Sequence, residues 1–389
     1  MKFLRNLPKE KIFGKTCLLR VDLNIAEKEA KNSPRILGIL PTIKFLIKNG
    51  AKVILLGHRG RPNGFDKKQS LKPFVKILSN LLNKKIYFID FDKNLNFTNG
   101  KDKDRKKNVA TASSSIFLLE NLRFLRGELK NDLKLAKQLS SFGDFYVNDA
   151  FSGSHRANVS VSAITKFLPS YAGFLMEKEI KNLSIIMKNP KKPLTIILGG
   201  AKISSKLGLI NNFMSKADYF LIGGGIANTF FAAQNLPIGD SINEKSMEKE
   251  AGKLFKNNLP IGQAGLSAGR AGNIILPIDV VISKRKILDI GQNTINLYSQ
   301  IIKKSKTIIW NGPMGYFEDK KFAKGSQGIA RAILKSRAFA VVGGGETASL
   351  FKLQTADYKL RTNIFISTGG GAMLEYLAGK KLPGIEVLQ

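Results

Sequence analysis

Short apolar runs alternate with amphipathic stretches along this chain, and the alternation predicts its architecture. The runs are "TCLLRVD" (16–22), "AKVILLG" (51–57), "SIFLLE" (115–120), "DFYVND" (144–149), "LTIILG" (194–199), "YFLIG" (219–223), "TIIWNG" (307–312), "FAVVG" (339–343) and "NIFIST" (363–368). Each has strand length and is apolar at successive positions, the pattern of strands buried on both faces of a parallel sheet. Between them lie segments such as "ILGILPTIKFLIKNG" and "NDLKLAKQLSSFG", with apolar spacing of three and four and a closing glycine, which predict helices. Strand and helix in repeated alternation predict an α/β fold. Ligands of such sheets bind beyond the carboxyl ends of the strands, so the residues after each run carry the functional information.

In the first half those residues are polar and charged. Asp22 and Asn24 follow the first run, and His58, Arg59 and Arg61 the second. Arg123 follows the third in "LLENLRF", and Asp149, His155 and Arg156 follow the fourth in "VNDAFSGSHRAN". Arg35 stands just before the first helical pattern. One arginine after a strand is usually a solvated loop residue. Four successive strands ending this way predict an anion site, because guanidinium groups grip phosphate and carboxylate with paired donors. In the second half the same positions are glycine-rich: "LGGAKISSK", "GGGIANT", "NGPMGYFE", "GGGETA" and "STGGGA". Glycine lets the backbone approach a ligand, and helix N-termini there favour phosphate, so a nucleotide is expected. No GxxxxGK[ST] occurs and no GxGxxG follows the first strand of either half, which sets aside a Walker-type loop and a dinucleotide oxidoreductase.

A length of 389 residues suits two domains. No apolar window approaches 18 residues and the start lacks an apolar h-region, so neither a transmembrane helix nor a signal peptide is expected. The single cysteine, Cys17, rules out an intramolecular disulfide and a cysteine-based metal site. Net charge is +34, but the lysines are spread along the chain. Only "KDKDRKK" (101–107) and "SKRK" (283–286) are locally dense, and no zinc-finger or RRM pattern accompanies them. A lysine-rich surface is therefore expected rather than specific nucleic-acid binding. The stretch 168–190, "LPSYAGFLMEKEIKNLSIIMKNP", predicts a connecting helix from about Tyr171, and "GQAGLSAGRAG" (262–272) a mobile loop.

Eleven segments bring a resemblance into focus: "LLRVDLN", "PRILGILPTIKFLIKNGAKVILLGHRGRP", "LLENLRF", "GDFYVNDAFSGSHRA", "AGFLMEKE", "ILGGAKISSK", "LIGGGIANTF", "ILDIG", "IIWNGPMGYFE", "GGGETA" and "STGGGAMLEYLAGKKLPGI". In this order they resemble the phosphoglycerate kinase family over nearly the whole chain. The resemblance implies two Rossmann-like parallel-sheet domains joined by a hinge helix. Residues 1–170 would bind phosphoglycerate, with 372–389 packing back on them; 171–188 would form the hinge, and 189–371 would bind the nucleotide. The implied reaction is reversible phosphoryl transfer from 1,3-bisphosphoglycerate to ADP, a step of glycolysis, by a monomeric, cytoplasmic enzyme using Mg2+. Asp22, Asn24, Arg35, His58, Arg61, Arg123 and Arg156 would then hold phosphoglycerate. Arg35, Lys202, Lys206 and Gly370 would act on the transferring group. Gly200, Ala201, Lys206, Gly223, Gly224, Asn311, Glu318, Gly345, Glu346 and Thr347 would hold the nucleotide, with Glu346 on the metal.

The chain departs from the family pattern at several points. Glu346 stands where the family usually carries a metal-binding aspartate, Ser205 where an acid precedes the second lysine, and Asn158 where a histidine is usual. The segment before "ILDIG" is also shorter. The arginines and lysines remain, so an active enzyme is expected, with Glu346 as the weak point of the metal site. A nucleotide-binding pair of domains without catalysis is the rival reading, and the intact arginine set argues against it.

Overall fold

The computed structural model describes residues 1–91, 115–256, 272–354 and 363–389. The basic run 101–107, and 262–271 of the expected loop, lie outside the described residues. The chain forms two compact units, Met1–Ile180 with Lys381–Gln389, and Lys181–Lys380.

In the first unit β1 (Thr16–Arg20), β2 (Lys52–Leu56), β3 (Ile86–Ile89), β4 (Ile116–Leu119), β5 (Phe145–Asn148) and β6 (Ser170–Ala172) make one sheet in the order β3-β4-β2-β1-β5-β6. Every pairing is parallel. Cys17, Leu19, Val53, Leu55, Leu118 and Val147 enter one core, and Leu18, Ile54, Leu56, Phe117, Leu119 and Tyr146 the other. Alternate side chains thus fill opposite cores, which is why the runs read as continuously apolar. The strands β2 to β4 lie on one side of β1 and β5 and β6 on the other, so the order reverses at the carboxyl ends of β1 and β5. Helix Pro34–Lys48 brings Arg35 to its place: Pro34 occupies the first turn and Ser33 Oγ accepts from Arg35 N at 3.3 Å.

Two expectations are corrected here. The connecting helix begins at Phe174, not near 171. Ser170–Ala172 is the edge strand β6, in register with Tyr146–Asn148 of β5. Backbone pairing to the sheet wins over helical spacing there, and it ends where Gly173 N donates to Asn148 O at 2.9 Å. Second, helix Gly371–Leu377 belongs to the second unit, and only Lys381–Gln389 of the C-terminal segment joins the first. Asn212 Nδ2 donates to Leu377 O at 2.6 Å, whereas Gly384 N donates to Ser154 O at 2.9 Å. The connecting helix Phe174–Lys188 crosses the division between Ile180 and Lys181.

In the second unit come β7 (Leu194–Leu198), β8 (Tyr219–Ile222) and β9 (Asn273–Ile275), then a hairpin of β10 (Val280–Ser283) and β11 (Lys286–Ile290), then β12 (Thr307–Asn311), β13 (Phe339–Gly343) and β14 (Ile364–Ser367). The main sheet is parallel, in the order β14-β13-β12-β7-β8-β9. This is the doubly wound order, with its reversal between β7 and β12. The dense "SKRK" is the hairpin turn: Lys284 and Arg285 have φ of 47° and 62°, as a two-residue turn requires.

Candidate active site

The first unit gathers cations at the reversal of its sheet. Arg20, the last residue of β1, is 0% exposed among apolar neighbours. Its Nη2 lies 2.7 Å from His58 Nδ1, its Nε donates to Ser160 Oγ at 2.9 Å, and its Nη1 donates to Val21 O. Arginine can only donate, so His58 Nδ1 accepts and the neutral ring carries its proton on Nε2. Burial pushes His58 well below the ordinary histidine range, and the charges of Arg20, Arg123, Arg156 and Arg35 push it further. Arg123 is lowered to about 10, first by burial and then by Arg156 and Arg20; Glu128 opposes this and Arg61 adds to it. Its Nε is buried without a hydrogen-bond partner, while its Nη1 donates to Gly60 O. Arg61 and Arg156 are exposed. A cluster whose members lower one another's proton affinity, with a buried donor left over, is arranged to receive an anion.

Asp22 and Asn24 build the wall beside it. Asp22 Oδ2 pairs with Arg35 Nη1 at 3.2 Å and accepts from Ser152 Oγ, while Asp22 Oδ1 accepts from Asn24 N at 2.9 Å. Asn24 O accepts from Arg35 Nη1 at 3.3 Å, and Asn24 Oδ1 from Gly60 N at 2.8 Å. Arg59 is turned away to Glu27, at 2.7 Å.

The second unit holds a cavity of about 470 Å³ on its own side of the β7–β12 reversal. Gly200, Ala201, Gly224, Glu318 and Glu346 line it, with apolar walls from Phe231, Ile242, Pro277 and Leu288. At its back the strand ends interlock. Gly312 has φ +88° and a side chain there would meet Gly199 O at 2.3 Å, so glycine serves backbone against backbone at this point. Asn311 Nδ2 donates to Gly343 O at 3.0 Å and Thr347 Oγ1 accepts from Gly312 N at 2.9 Å, fixing the ends of β12 and β13. Gly223 caps helix Gly224–Ala233 in extended backbone, Gly345 opens helix Gly345–Gln354, and Gly370 has φ +52°. Lys206 is buried, and its ammonium is lowered by that burial while Glu346 and Glu244 pull it back up. Lys202 is exposed, and its charge helps to lower the Glu244 carboxyl.

A sequence profile described as phosphoglycerate kinase matches residues 7–380. The chain belongs to the phosphoglycerate kinase family. It is 41% identical to the phosphoglycerate kinase of Finegoldia magna, with 96% of each chain covered. It is 42% identical to that of Dictyoglomus turgidum, with 100% of this chain and 99% of the relative covered. Among solved structures, the Coxiella burnetii phosphoglycerate kinase superposes with a TM-score of 0.79 at 34% identity, covering 99% of this chain and 98% of that one. The Pyrococcus horikoshii enzyme gives 0.81 at 31% identity, covering 100% and 98%.

Sequence reasoning overlooked three features of this phosphoglycerate kinase family member. Arg20 sat inside "LLRVD", and a lone arginine in an otherwise apolar strand was the available signal. Glu244 accepts from Ser204 N at 3.0 Å and Ser204 Oγ at 2.6 Å, and it supplies negative charge near Lys202 and Lys206. Ser205 Oγ donates to Lys202 O at 2.9 Å. Asp289 lines the cavity from the hairpin; Gly291 two residues on, and the basic "SKRK" just before, were the signals the sequence offered.

The lowered His58 predicts a pH effect on stability. Below the ordinary histidine value the unfolded chain takes up a proton that the folded chain refuses, so stability falls as the pH falls. From pH 6.5 to 5.5 the parent should lose about 1 kcal/mol more than His58→Gln in denaturant titrations. Taking the difference isolates His58 from Asp149, whose buried carboxyl is pushed up to about 7 and gives the opposite slope. Equal pH slopes in parent and variant would show that His58 is not held neutral.

Proposed function

We propose that the cationic cluster holds the phosphoglycerate and the glycine-lined cavity holds ADP or ATP, so that the chain carries out the ATP-forming step of glycolysis. The phosphoryl group of 1,3-bisphosphoglycerate passes to ADP, leaving 3-phosphoglycerate and ATP. The observation that carries the reading is the convergence of Arg20, Arg35, Arg123 and Arg156 on His58, with Arg123 Nε left unpartnered. A protein that only bound nucleotide would have no use for that cluster.

Phosphoryl transfer needs in-line placement and charge neutralisation more than covalent help. Arg35 is oriented by Asp22 and Asn24 and stands free to neutralise the group in transit. Arg123, Arg156, Arg61 and His58 Nε2 donate to phosphate and carboxylate, with no proton moved. On the nucleotide side Lys206 brings a positive charge out of bulk water, where it acts more strongly. Lys202 adds a mobile one, and Glu318 accepts from the ribose hydroxyls. The reading includes bending at the connecting helix, because an acyl phosphate must be kept from water while the ligands meet. A glycolytic role implies a cytoplasmic enzyme, and the family resemblance a monomer; no described helix is long and apolar enough to cross a membrane.

The residues present fit Mg2+. Glu346 lines the cavity from the first turn of its helix, and among the described residues no group of three His, Cys, Asp or Glu forms a metal cage. A single carboxylate suits an ion held chiefly by nucleotide phosphates and water. Glu346 would hold it, and the bound ion neutralises phosphate charge. Glu346→Asp should keep or raise magnesium-dependent turnover, since it restores the family's shorter side chain; a loss beyond about tenfold would mean the metal site depends on glutamate's reach.

A coupled assay tests the whole reading: with 1,3-bisphosphoglycerate, ADP and Mg2+, purified chain should form ATP. Nucleotide binding without ATP formation would leave only the non-catalytic reading.

A further inference from the structure

The hairpin strand β11 carries a buried acid at the edge of the cavity. Asp289 is 3% exposed, yet it lines the cavity together with Pro313, Met314, Gly315, Tyr316 and Glu318. Its Oδ2 accepts from Gly325 N at 2.7 Å and its Oδ1 from Ile290 N at 2.9 Å. Gly325 lies in the first turn of helix Lys324–Lys335, whose own N-cap residue is Ala323 and offers no acceptor. Asp289 therefore caps that helix from another element, and an anion is favoured at the amino end of 12 helical residues. The carboxylate also fills a notch walled by two glycines. A side chain at Gly315 would come within 2.4 Å of Asp289 Oδ1 and 2.5 Å of Leu288 O, and one at Gly325 within 2.2 Å of Oδ1. The next loop residue, Tyr316, donates its N–H to Leu288 O at 2.7 Å. Leu288 thus holds Tyr316 by a hydrogen bond, while the Asp289 carboxylate packs against Gly315 beside it.

We propose that Asp289 is a positioning residue of the nucleotide site, its carboxylate setting loop Gly312–Glu318 against helix Lys324–Lys335 at the distance where Tyr316 and Glu318 meet the nucleotide. The inference rests on the reading of the cavity as the nucleotide site. It makes the hairpin part of that site, although neither of its strands belongs to the main sheet. Asparagine cannot replace the acid, since it would turn an NH2 group onto one of the two N–H donors. Glutamate is too long for a notch closed by two glycines.

Equilibrium binding to the full chain, read by calorimetry with ADP and separately with 3-phosphoglycerate, tests this. Asp289→Asn and Gly315→Ala should each weaken ADP by about tenfold and leave 3-phosphoglycerate unchanged within about twofold. The double variant should bind ADP about as weakly as the weaker single one, because both changes act through the one side chain at 289. Melting curves of each variant confirm that the folded chain is being titrated. Parental ADP affinity in both single variants would overturn the inference, and so would a parallel loss of both ligands, which marks general loosening. A parent chain that binds 3-phosphoglycerate but no ADP would overturn the nucleotide reading itself.

Discussion

Replacing Arg35 by methionine should lower turnover by about a thousandfold while the chain stays folded, the scale of loss when an arginine that neutralises a transferring phosphoryl group is removed. Arg35 stands out because its neighbours orient it without using it up. Ser33 and Pro34 fix the start of its helix, and Asp22 Oδ2 at 3.2 Å and Asn24 O at 3.3 Å hold one end of the guanidinium. The side chain is only partly buried, so the remaining donors stay available. Methionine keeps the apolar stem and removes the charge. Phosphoglycerate affinity should fall far less, by about tenfold, because Arg123, Arg156 and Arg61 remain to hold the ground state. Arg35→Lys should fall between parent and methionine, since lysine restores charge but not the planar fork. Steady-state kinetics with both substrates varied separate these outcomes. A methionine variant within tenfold of parental turnover would remove Arg35 from the transfer step.

Much of this was legible in the sequence because parallel strands buried on both faces are apolar throughout, which marks their carboxyl ends. Asp22, His58 and Arg123 could be located that way. The edge strand β6, Ser170–Ala172, could not, because it lacks a continuous apolar run, whereas β3, "IYFI", is apolar throughout and was missed although its pattern is that of the other runs. The glycine clusters looked alike in sequence and differ in space. Gly199, Gly200 and Gly312 interlock as backbone against backbone, whereas Gly345, Gly370 and Gly371 have nothing within 4 Å of where a side chain would begin. No local pattern separates a glycine needed by a neighbouring strand from one kept clear for a ligand. The charge around the two lysines was hidden for a similar reason. Glu244 accepts from Ser204 N at 3.0 Å and lends negative charge to Lys202 and Lys206, although it is distant from them in sequence.

Lys206→Met should cost about a hundredfold to a thousandfold in turnover, the range for removing one preorganised charge from a transfer site, and should at the same time raise the melting temperature. The two effects share one cause. Lys206 is buried and its ammonium is lowered chiefly by lost solvation, with Glu346 and Glu244 offsetting only part of that. The folded chain without nucleotide therefore carries a charge it would rather not hold, and methionine relieves this. The sign also fixes a pH effect. The unfolded chain holds the lysine proton more tightly, so the parent gains stability as the pH rises through the window between the lowered value and the ordinary lysine value, and the methionine variant lacks that slope. Nucleotide phosphates supply the missing counter-charge, so the alkaline limb of kcat should lie at higher pH than that of kcat/KM for ADP. In the chain without nucleotide or metal, Glu346→Gln should widen that stability window, because one of the two carboxylates that raise Lys206 is gone. Melting curves and pH–rate profiles of the three chains test the account. A Lys206→Met variant that is both destabilised and within tenfold of parental turnover would mean that the lysine serves the fold and not the phosphoryl group.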